Sequence, residues 1–133
     1  MGDSAMIVSS DVLTVDDFQR VLNDFSGCVK HMKPPRGVVS DGGADIWLAM
    51  LSKDDFNAFY DDEDLLEWQS MLGSAPQTII EIRLDHTQRS RVMYLDVVLG
   101  FAKVWNCILH DVDDSVLSYA LICERYKHLV GSL

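Results

Sequence analysis

One long apolar segment limits most strongly what this chain can fold into. Residues 91–106 predict a helix on which only Asp96, Gly100 and Lys103 form a polar stripe. A helix with so narrow a polar face is covered by protein on most of its circumference. The segment is also too short and too polar to span a bilayer. We therefore predict a core helix that packs on a sheet, with Ser90 as its N-terminal cap.

Four segments predict the strands of that sheet. Residues 78–84 alternate cleanly between apolar and polar positions, as a strand with two different faces does. Residues 37–40 and 44–51 predict a hairpin, because the Asp-Gly-Gly sequence between them is a turn signal. Both faces of residues 44–51 are apolar, which predicts a central strand covered on both sides. Residues 107–112 predict the fourth strand, and residues 5–9 could add another.

Helical periodicity appears in the remaining parts of the chain. A first helix at 15–25 begins after Thr14, and Ser26-Gly27 supplies its C-terminal glycine. Further helices are predicted at 52–60, 61–72 and 116–130, the last with these inward-facing residues: Leu117, Ala120, Leu121 and Cys123. The prediction is a single α+β domain over residues 1–133. Its small mixed sheet has about four strands, helices pack on it, and the element order is α-β-β-α-β-α-β-α.

Charge and cysteine content narrow the functional classes. The 133 residues include 21 Asp and Glu against 11 Lys and Arg, a net charge of −10. Such a charge argues against direct binding of nucleic acid or anionic membrane, since both are polyanions. Cys28, Cys107 and Cys123 are odd in number and irregularly spaced, so we expect free thiols. The first residues lack the basic and apolar regions of a signal peptide, and we expect a cytoplasmic protein.

The densest functional signal is acidic. Seven carboxylates fall within fourteen residues that contain no Lys or Arg, and two aromatic residues interleave with them. One interpretation is a solvated helix start, because acidic first turns are common. The other is a docking surface for a basic partner, in which the aromatic residues act as anchors, although Trp68 could equally belong to the core. The predicted partner-binding residues are Asp54, Asp55, Tyr60, Asp61, Asp62, Glu63, Asp64, Glu67 and Trp68.

Catalytic and metal-binding patterns are weak. Cys28-x-x-His31 and Cys107-x-x-His110 contain ligand types that zinc prefers, but Cys107 and His110 lie on a predicted strand, where residues three apart point to opposite faces. The pair Asp85-His86 follows a strand and could exchange protons, while the carboxylates at 111–114 fit a polar turn before the last helix. We predict no catalytic residue, no metal site and no cofactor.

The arrangement of these segments resembles small acidic immunity proteins of bacterial toxin–immunity systems, including those of contact-dependent growth inhibition. The resemblance extends over most of the chain, with Ser90 opening the long apolar helix that ends in Trp105. The other segments that carry it are Asp17-Phe18-Gln19, Gly37-Val38-Val39-Ser40, Asp45-Ile46-Trp47-Leu48, Thr78-Ile79-Ile80-Glu81-Ile82 after Pro76, and Cys107-Ile108-Leu109-His110-Asp111.

The resemblance implies a cytoplasmic protein without enzymatic activity that binds the C-terminal domain of a cognate toxin, often a basic nuclease. Inhibition would then follow from occlusion of the toxin's active site or of a neighbouring surface. Two alternatives from other classes stay open. One is a small metal-dependent hydrolase that uses Asp85, His86 or the carboxylates at 111–114. The other is a regulatory domain that binds a different basic protein.

Overall fold

The sheet has seven strands within residues 3–131, which the computed structural model describes apart from the side chains of residues 57 and 59. In space the strands follow the order β2-β3-β4-β5-β1-β6-β7, and each neighbouring pair is antiparallel. The first strand therefore lies in the interior of the sheet. The strand bounds are β1 (Ser4–Ser9), β2 (Cys28–Lys30), β3 (Arg36–Asp41), β4 (Ala44–Ser52), β5 (Thr78–Leu84), β6 (Cys107–His110) and β7 (Val116–Leu117).

Four helices of nine or more residues and one of four residues accompany this sheet in the described range. A 3-10 turn at Lys53–Asp55 precedes the shortest of them. The helix bounds are α1 (Val15–Asn23), α2 (Phe56–Phe59), α3 (Asp62–Leu72), α4 (Gln88–Ala102) and α5 (Tyr119–Gly131).

The α+β class and the single small domain are confirmed, but the predicted sheet is not. Seven strands replace the predicted four, the sheet is antiparallel rather than mixed, and the element order begins with a strand. The three strands that the four predicted segments leave out are β1, β2 and β7. Two of these are only three and two residues long, so each depends on hydrogen bonds to its neighbour more than on its own sequence pattern.

One face of the sheet is covered by α1, α4 and α5. The middle helix, α4, contacts the other two helices and also β4, β5 and β6. Its residues Val97, Val98 and Phe101 are fully buried, and the Phe101 ring stacks on Phe18 of α1 at 6.2 Å. The prediction of a core helix is thus confirmed. Its cap is different, however: Thr87 accepts the hydrogen bond at the start of α4, and Ser90 is buried one turn later.

The opposite face is covered over only part of its area. There α2 and α3 lie over one row of side chains that crosses four strands, formed by Leu51, Ile79, Val8 and Ile108. The rest of this face, over β3, β4 and part of β5, has no helix on it, and Trp47 is 44% exposed there. The prediction that residues 44–51 are covered on both sides is therefore wrong for the first half of β4, because α2 and α3 end short of it.

The end of the chain also differs from its prediction. The expected helix at 116–130 begins only at Tyr119, because Val116 and Leu117 pair with β6 as β7. Leu117 is buried as predicted, but Ala120 and Leu121 are exposed and Cys123 is half-buried. Ile122 is the fully buried residue of α5. The packing of α5 therefore buries a different face from the predicted one.

Candidate functional site

The seven predicted carboxylates lie together on the sheet face opposite α1, α4 and α5. We call them the acidic surface: Asp54, Asp55, Asp61, Asp62, Glu63, Asp64 and Glu67. They come from the 3-10 turn, from the residue before α3 and from α3 itself. Five are exposed, and Asp55 and Asp64 are half-buried. The structure thus brings the predicted carboxylates together on one exposed segment.

Part of this acidity has a structural role. Asp61 caps α3 by accepting a hydrogen bond from the Asp64 amide at 2.9 Å, and the next three residues are all acidic. Negative charge in a first turn interacts favourably with the helix dipole. Asp55 accepts a hydrogen bond from the Ser52 amide at 3.2 Å. The carboxylates of Asp62, Glu63 and Glu67, in contrast, accept no hydrogen bond within residues 3–131.

The acidic surface carries its charge without compensation. No ion pair involves any of its seven carboxylates in the described part of the chain. The pKa of Asp64 is raised above its usual value, first because burial removes water from the carboxyl and then because the Asp61 carboxylate is close. A cation placed here would relieve this repulsion.

The two predicted aromatic anchors differ in position. Trp68 is 2% exposed and packs edge-on against Tyr60 at 5.4 Å and His110 at 6.0 Å. Its assignment to the partner-binding surface is therefore corrected: Trp68 belongs to the core that α3 forms on the sheet. Tyr60 is half-buried and donates a hydrogen bond from its hydroxyl to Glu81 at 3.1 Å. Burial and the Glu81 carboxylate raise the pKa of Tyr60 well above its usual range.

One large apolar residue that the sequence analysis did not single out is exposed among these acids. Leu66 is 64% exposed, and it follows Glu63 by three residues and Asp62 by four on the same face of α3. The core side of α3 is formed by Leu65, Trp68 and Leu72, which recur at helical spacing. Leu66 falls outside that stripe, and this mismatch is the sequence signal that could have identified it.

The acid–base pair considered from the sequence is part of a turn. The Asp85 carboxylate accepts hydrogen bonds from the Asp45 amide at 2.7 Å, the Thr87 amide at 2.8 Å and the Thr87 hydroxyl at 2.5 Å. These bonds lower the pKa of Asp85 well below its usual value. His86, its neighbour, is exposed. A carboxylate held by three donors is a poor general base, because its proton affinity is reduced.

The second acidic cluster fixes the last helix. Asp111 is 4% exposed and accepts hydrogen bonds from the Tyr94 hydroxyl at 2.7 Å, the Val112 amide at 2.7 Å and Arg125 of α5 at 2.5 Å. Arg125 also pairs with Asp113 at 3.2 Å. Burial and the Asp111 carboxylate raise the pKa of Tyr94 far above its usual range. The cluster thus joins α4, β6 and α5.

The two Cys-x-x-His pairs lie on different strands. Cys28 is exposed on the edge strand β2, and Cys107 is buried in β6. No group of three or more His, Cys, Asp or Glu side chains in residues 3–131 is arranged to hold a metal ion. Within the same range, no helix combines the length and apolar character that crossing a membrane requires.

Comparison with known proteins adds no relative: the chain matches no protein-family model, and searches of curated proteins and of solved structures find no match.

Proposed function

We propose that this protein is a cytoplasmic, non-enzymatic immunity protein that binds and neutralises the basic C-terminal domain of a bacterial toxin. The single observation that carries the proposal is the acidic surface, whose seven carboxylates form no ion pair within residues 3–131 and whose helix α3 also exposes Leu66. The resemblance in size, acidity and segment order supports the same function. The hydrolase alternative is less favoured, because its candidate carboxylates Asp85 and Asp111 are already engaged in hydrogen bonds and an ion pair within the fold.

The residues of the acidic surface have different parts in this proposal. Asp62, Glu63 and Glu67 pair with Lys or Arg side chains of the toxin, and Leu66 enters an apolar pocket between them. Apolar anchors inside a charged rim are typical of tight interfaces. Asp54, Asp55 and Tyr60 extend the contact towards the sheet. Trp68 takes no direct part and holds α3 in position from below.

The mechanism is occlusion assisted by long-range attraction. Opposite charges on the two proteins accelerate their encounter, and this acceleration decreases as salt screens the charges. A nuclease binds its polyanionic substrate through a basic surface. An acidic protein that covers this surface excludes the substrate without any chemical step.

The test is charge reversal at the three carboxylates that accept no hydrogen bond. The variant Asp62→Lys, Glu63→Lys, Glu67→Lys is compared with Asp16→Lys, Asp24→Lys, Glu124→Lys, which changes three exposed acids outside the acidic surface. The partner is the purified toxin domain encoded beside the gene of this protein. We expect the first variant to lower the association rate by at least about tenfold and to reduce its salt dependence, because steering depends on these charges.

Two results would contradict the proposal. Equal binding by the two variants would remove the acidic surface as the interface. A neighbouring toxin domain that the unmodified protein neither binds nor inhibits would remove the immunity function itself. A basic partner without toxicity would instead support the regulatory alternative, because it would use the same surface.

A further inference from the structure

The uncovered part of the sheet, which we call the open sheet face, carries a different set of side chains from the acidic surface. It consists of Arg36, Val38, Trp47, Ala49, Glu81 and Arg83. The strand register places Trp47 directly between Val38 of β3 and Arg83 of β5. One row further, Ala49 lies between Arg36 and Glu81. The two arginines thus stand at opposite corners of an apolar centre.

The arginines of the open sheet face have no internal partner. Among residues 3–131, neither Arg36 nor Arg83 forms an ion pair or a side-chain hydrogen bond, whereas Arg89, Arg91 and Arg125 all pair with aspartates. In a chain with a net charge of −10, two unpaired guanidinium groups beside an exposed tryptophan are unusual. Trp and Arg are also the residue types most enriched where binding energy concentrates in protein interfaces.

The open sheet face forms a groove that borders the acidic surface. Its volume is about 700 Å³, and Pro34 and Leu51 contribute to its walls. Asp55 lines the groove and also belongs to the acidic surface. On β5, Glu81 lines the groove and accepts a hydrogen bond from Tyr60, so the groove is bordered there as well. A partner large enough to cover the acidic surface would therefore reach this groove as well.

We propose that the open sheet face binds an acidic segment of the same protein partner, with carboxylates at Arg36 and Arg83 and an apolar side chain on Trp47. This inference rests on the proposed function and deepens it, since it gives the toxin two contact regions of opposite charge. Asp55 and Glu81 also line the groove, but each already accepts a hydrogen bond, whereas Arg36 and Arg83 have no side-chain partner among residues 3–131. Charge complementarity therefore favours a peptide that places carboxylates only at the two arginine corners. Single-stranded nucleic acid is less suited, since its evenly spaced phosphates would also meet the two carboxylates.

Two contact regions of opposite sign would fix how the partner docks. A uniformly acidic surface attracts any basic protein in many orientations, but a neighbouring basic patch penalises all orientations except the one that places an acidic segment on it. The acidic surface would then accelerate the encounter with the partner, and the open sheet face would select among basic partners.

The test uses the full-length protein and short synthetic probes, so it does not depend on the toxin. One probe is a capped pentapeptide of aspartate and glutamate around a central phenylalanine, and its matched control replaces the acids by lysines. The readout is the indole N–H signal of Trp47 in a ¹⁵N correlation spectrum, assigned with Trp47→Phe. We expect a saturable shift with the acidic peptide only, and affinity at least about tenfold lower in Arg36→Ala, Arg83→Ala. The control variant is Arg89→Ala, Arg91→Ala, which removes the same charge elsewhere.

Three outcomes would overturn the inference: no shift with the acidic peptide, an equal shift with the lysine peptide, or equal binding by the two arginine variants. A short oligothymidylate is a further probe, and a shift with it alone would assign the groove to single-stranded nucleic acid instead. None of these results bears on the toxin experiment, which changes only Asp62, Glu63 and Glu67. The two proposals can therefore fail separately.

Discussion

Asp85 connects the end of β5 to the start of α4 through a single side chain. Its carboxylate accepts two hydrogen bonds from Thr87 and one from the Asp45 amide, which belongs to β4. Thr87 in turn caps α4 by accepting from the Ser90 amide at 3.1 Å. Ser90, which the sequence favoured as the cap, is buried and donates to the carbonyl groups of Asp85 and Thr87. Two hydroxyl residues three positions apart are equally plausible caps by type, and their side-chain directions decide between them.

We predict that Asp85→Asn loses stability at neutral pH but not in acid. A carboxyl whose pKa is lowered in the folded state stabilises the fold above its unfolded pKa of about 3.9. That contribution disappears as the pH falls through the lower folded-state value. The unfolding free energies of the two proteins should therefore differ at pH 7, and the difference should shrink steadily as the pH falls below about 4, as measured by urea denaturation. A difference that stays constant down to pH 2 would show that these hydrogen bonds do not favour the ionised form.

The cysteines give a second prediction at this scale. Cys28 is exposed on the edge strand, whereas burial raises the pKa of the Cys107 thiol to about 11. Because the thiolate is the reactive form, a disulfide reagent should modify Cys28 rapidly and Cys107 only after unfolding. Stopped-flow measurement with Ellman's reagent checks this order, and Cys28→Ser should lose the fast phase. Loss of the fast phase in Cys107→Ser instead would contradict the prediction.

At the scale of elements, the strands and turns that depend on local interactions were predicted from local sequence patterns. The bounds of β5 were predicted without error, and the β3–β4 hairpin closes through Gly42 and Gly43, which both have positive φ as this turn requires. The elements that were missed depend on distant partners. Nothing within β2 shows that Cys28 will lie opposite Val38, and nothing within residues 116–118 shows that they will pair with β6 before a helix starts.

The N-terminus of α3 gives a prediction for one element. Asp61→Ala removes the side chain that accepts from the Asp64 amide, and we expect the unfolding free energy to fall by about 1 kcal/mol. Asp62→Ala removes the same charge one residue later without removing a cap, so it serves as the matched control and should change stability by less than about 0.5 kcal/mol. Equal effects in thermal or urea unfolding would mean that charge, not capping, dominates this turn.

At the scale of the whole molecule, α5 depends on one buried carboxylate. Asp111, which directly follows β6, holds Arg125 of α5, and Ile122 is the only residue of that helix, within the described range, that is fully buried. Breaking a buried ion pair by removing one partner costs several kcal/mol, because it leaves a charge without water or partner. Arg125 is more than one third exposed, so solvent screening reduces this cost.

We therefore predict that Arg125→Met lowers the unfolding free energy by about 2 kcal/mol and that α5 loses hydrogen-exchange protection before the sheet does. Arg91→Met removes the exposed pair with Asp3 and provides the control, with an expected loss of less than about 0.5 kcal/mol. Uniform loss of protection over the sheet and α5 would show that the last helix unfolds only with the whole domain.

The residues of the candidate site also differ in whether the nearby sequence or the packing of the whole fold decides their exposure. The seven carboxylates could be found in the sequence, because a run of acids around a helix start is exposed in almost any fold. Trp68 was ambiguous, since only the packing of α3 on β1, β5 and β6 buries it. Trp47 could not be recognised as exposed, because that depends on where α2 and α3 end above the sheet. The open sheet face exists only where the helices leave the packed sheet uncovered, so no local sequence pattern predicts it.

The interior position of β1 has a consequence for how the chain folds during synthesis. This strand leaves the ribosome first, yet Ile7 pairs with Ile80 on one side and with Leu109 on the other. Both edges of this apolar strand therefore lack their partners until residues 78–84 have been made, and one edge lacks its partner until residues 107–110 have been made; such edges favour association with other chains. The centre of the sheet therefore closes later, and stays open to association for longer, than in a protein whose first strand lies at an edge.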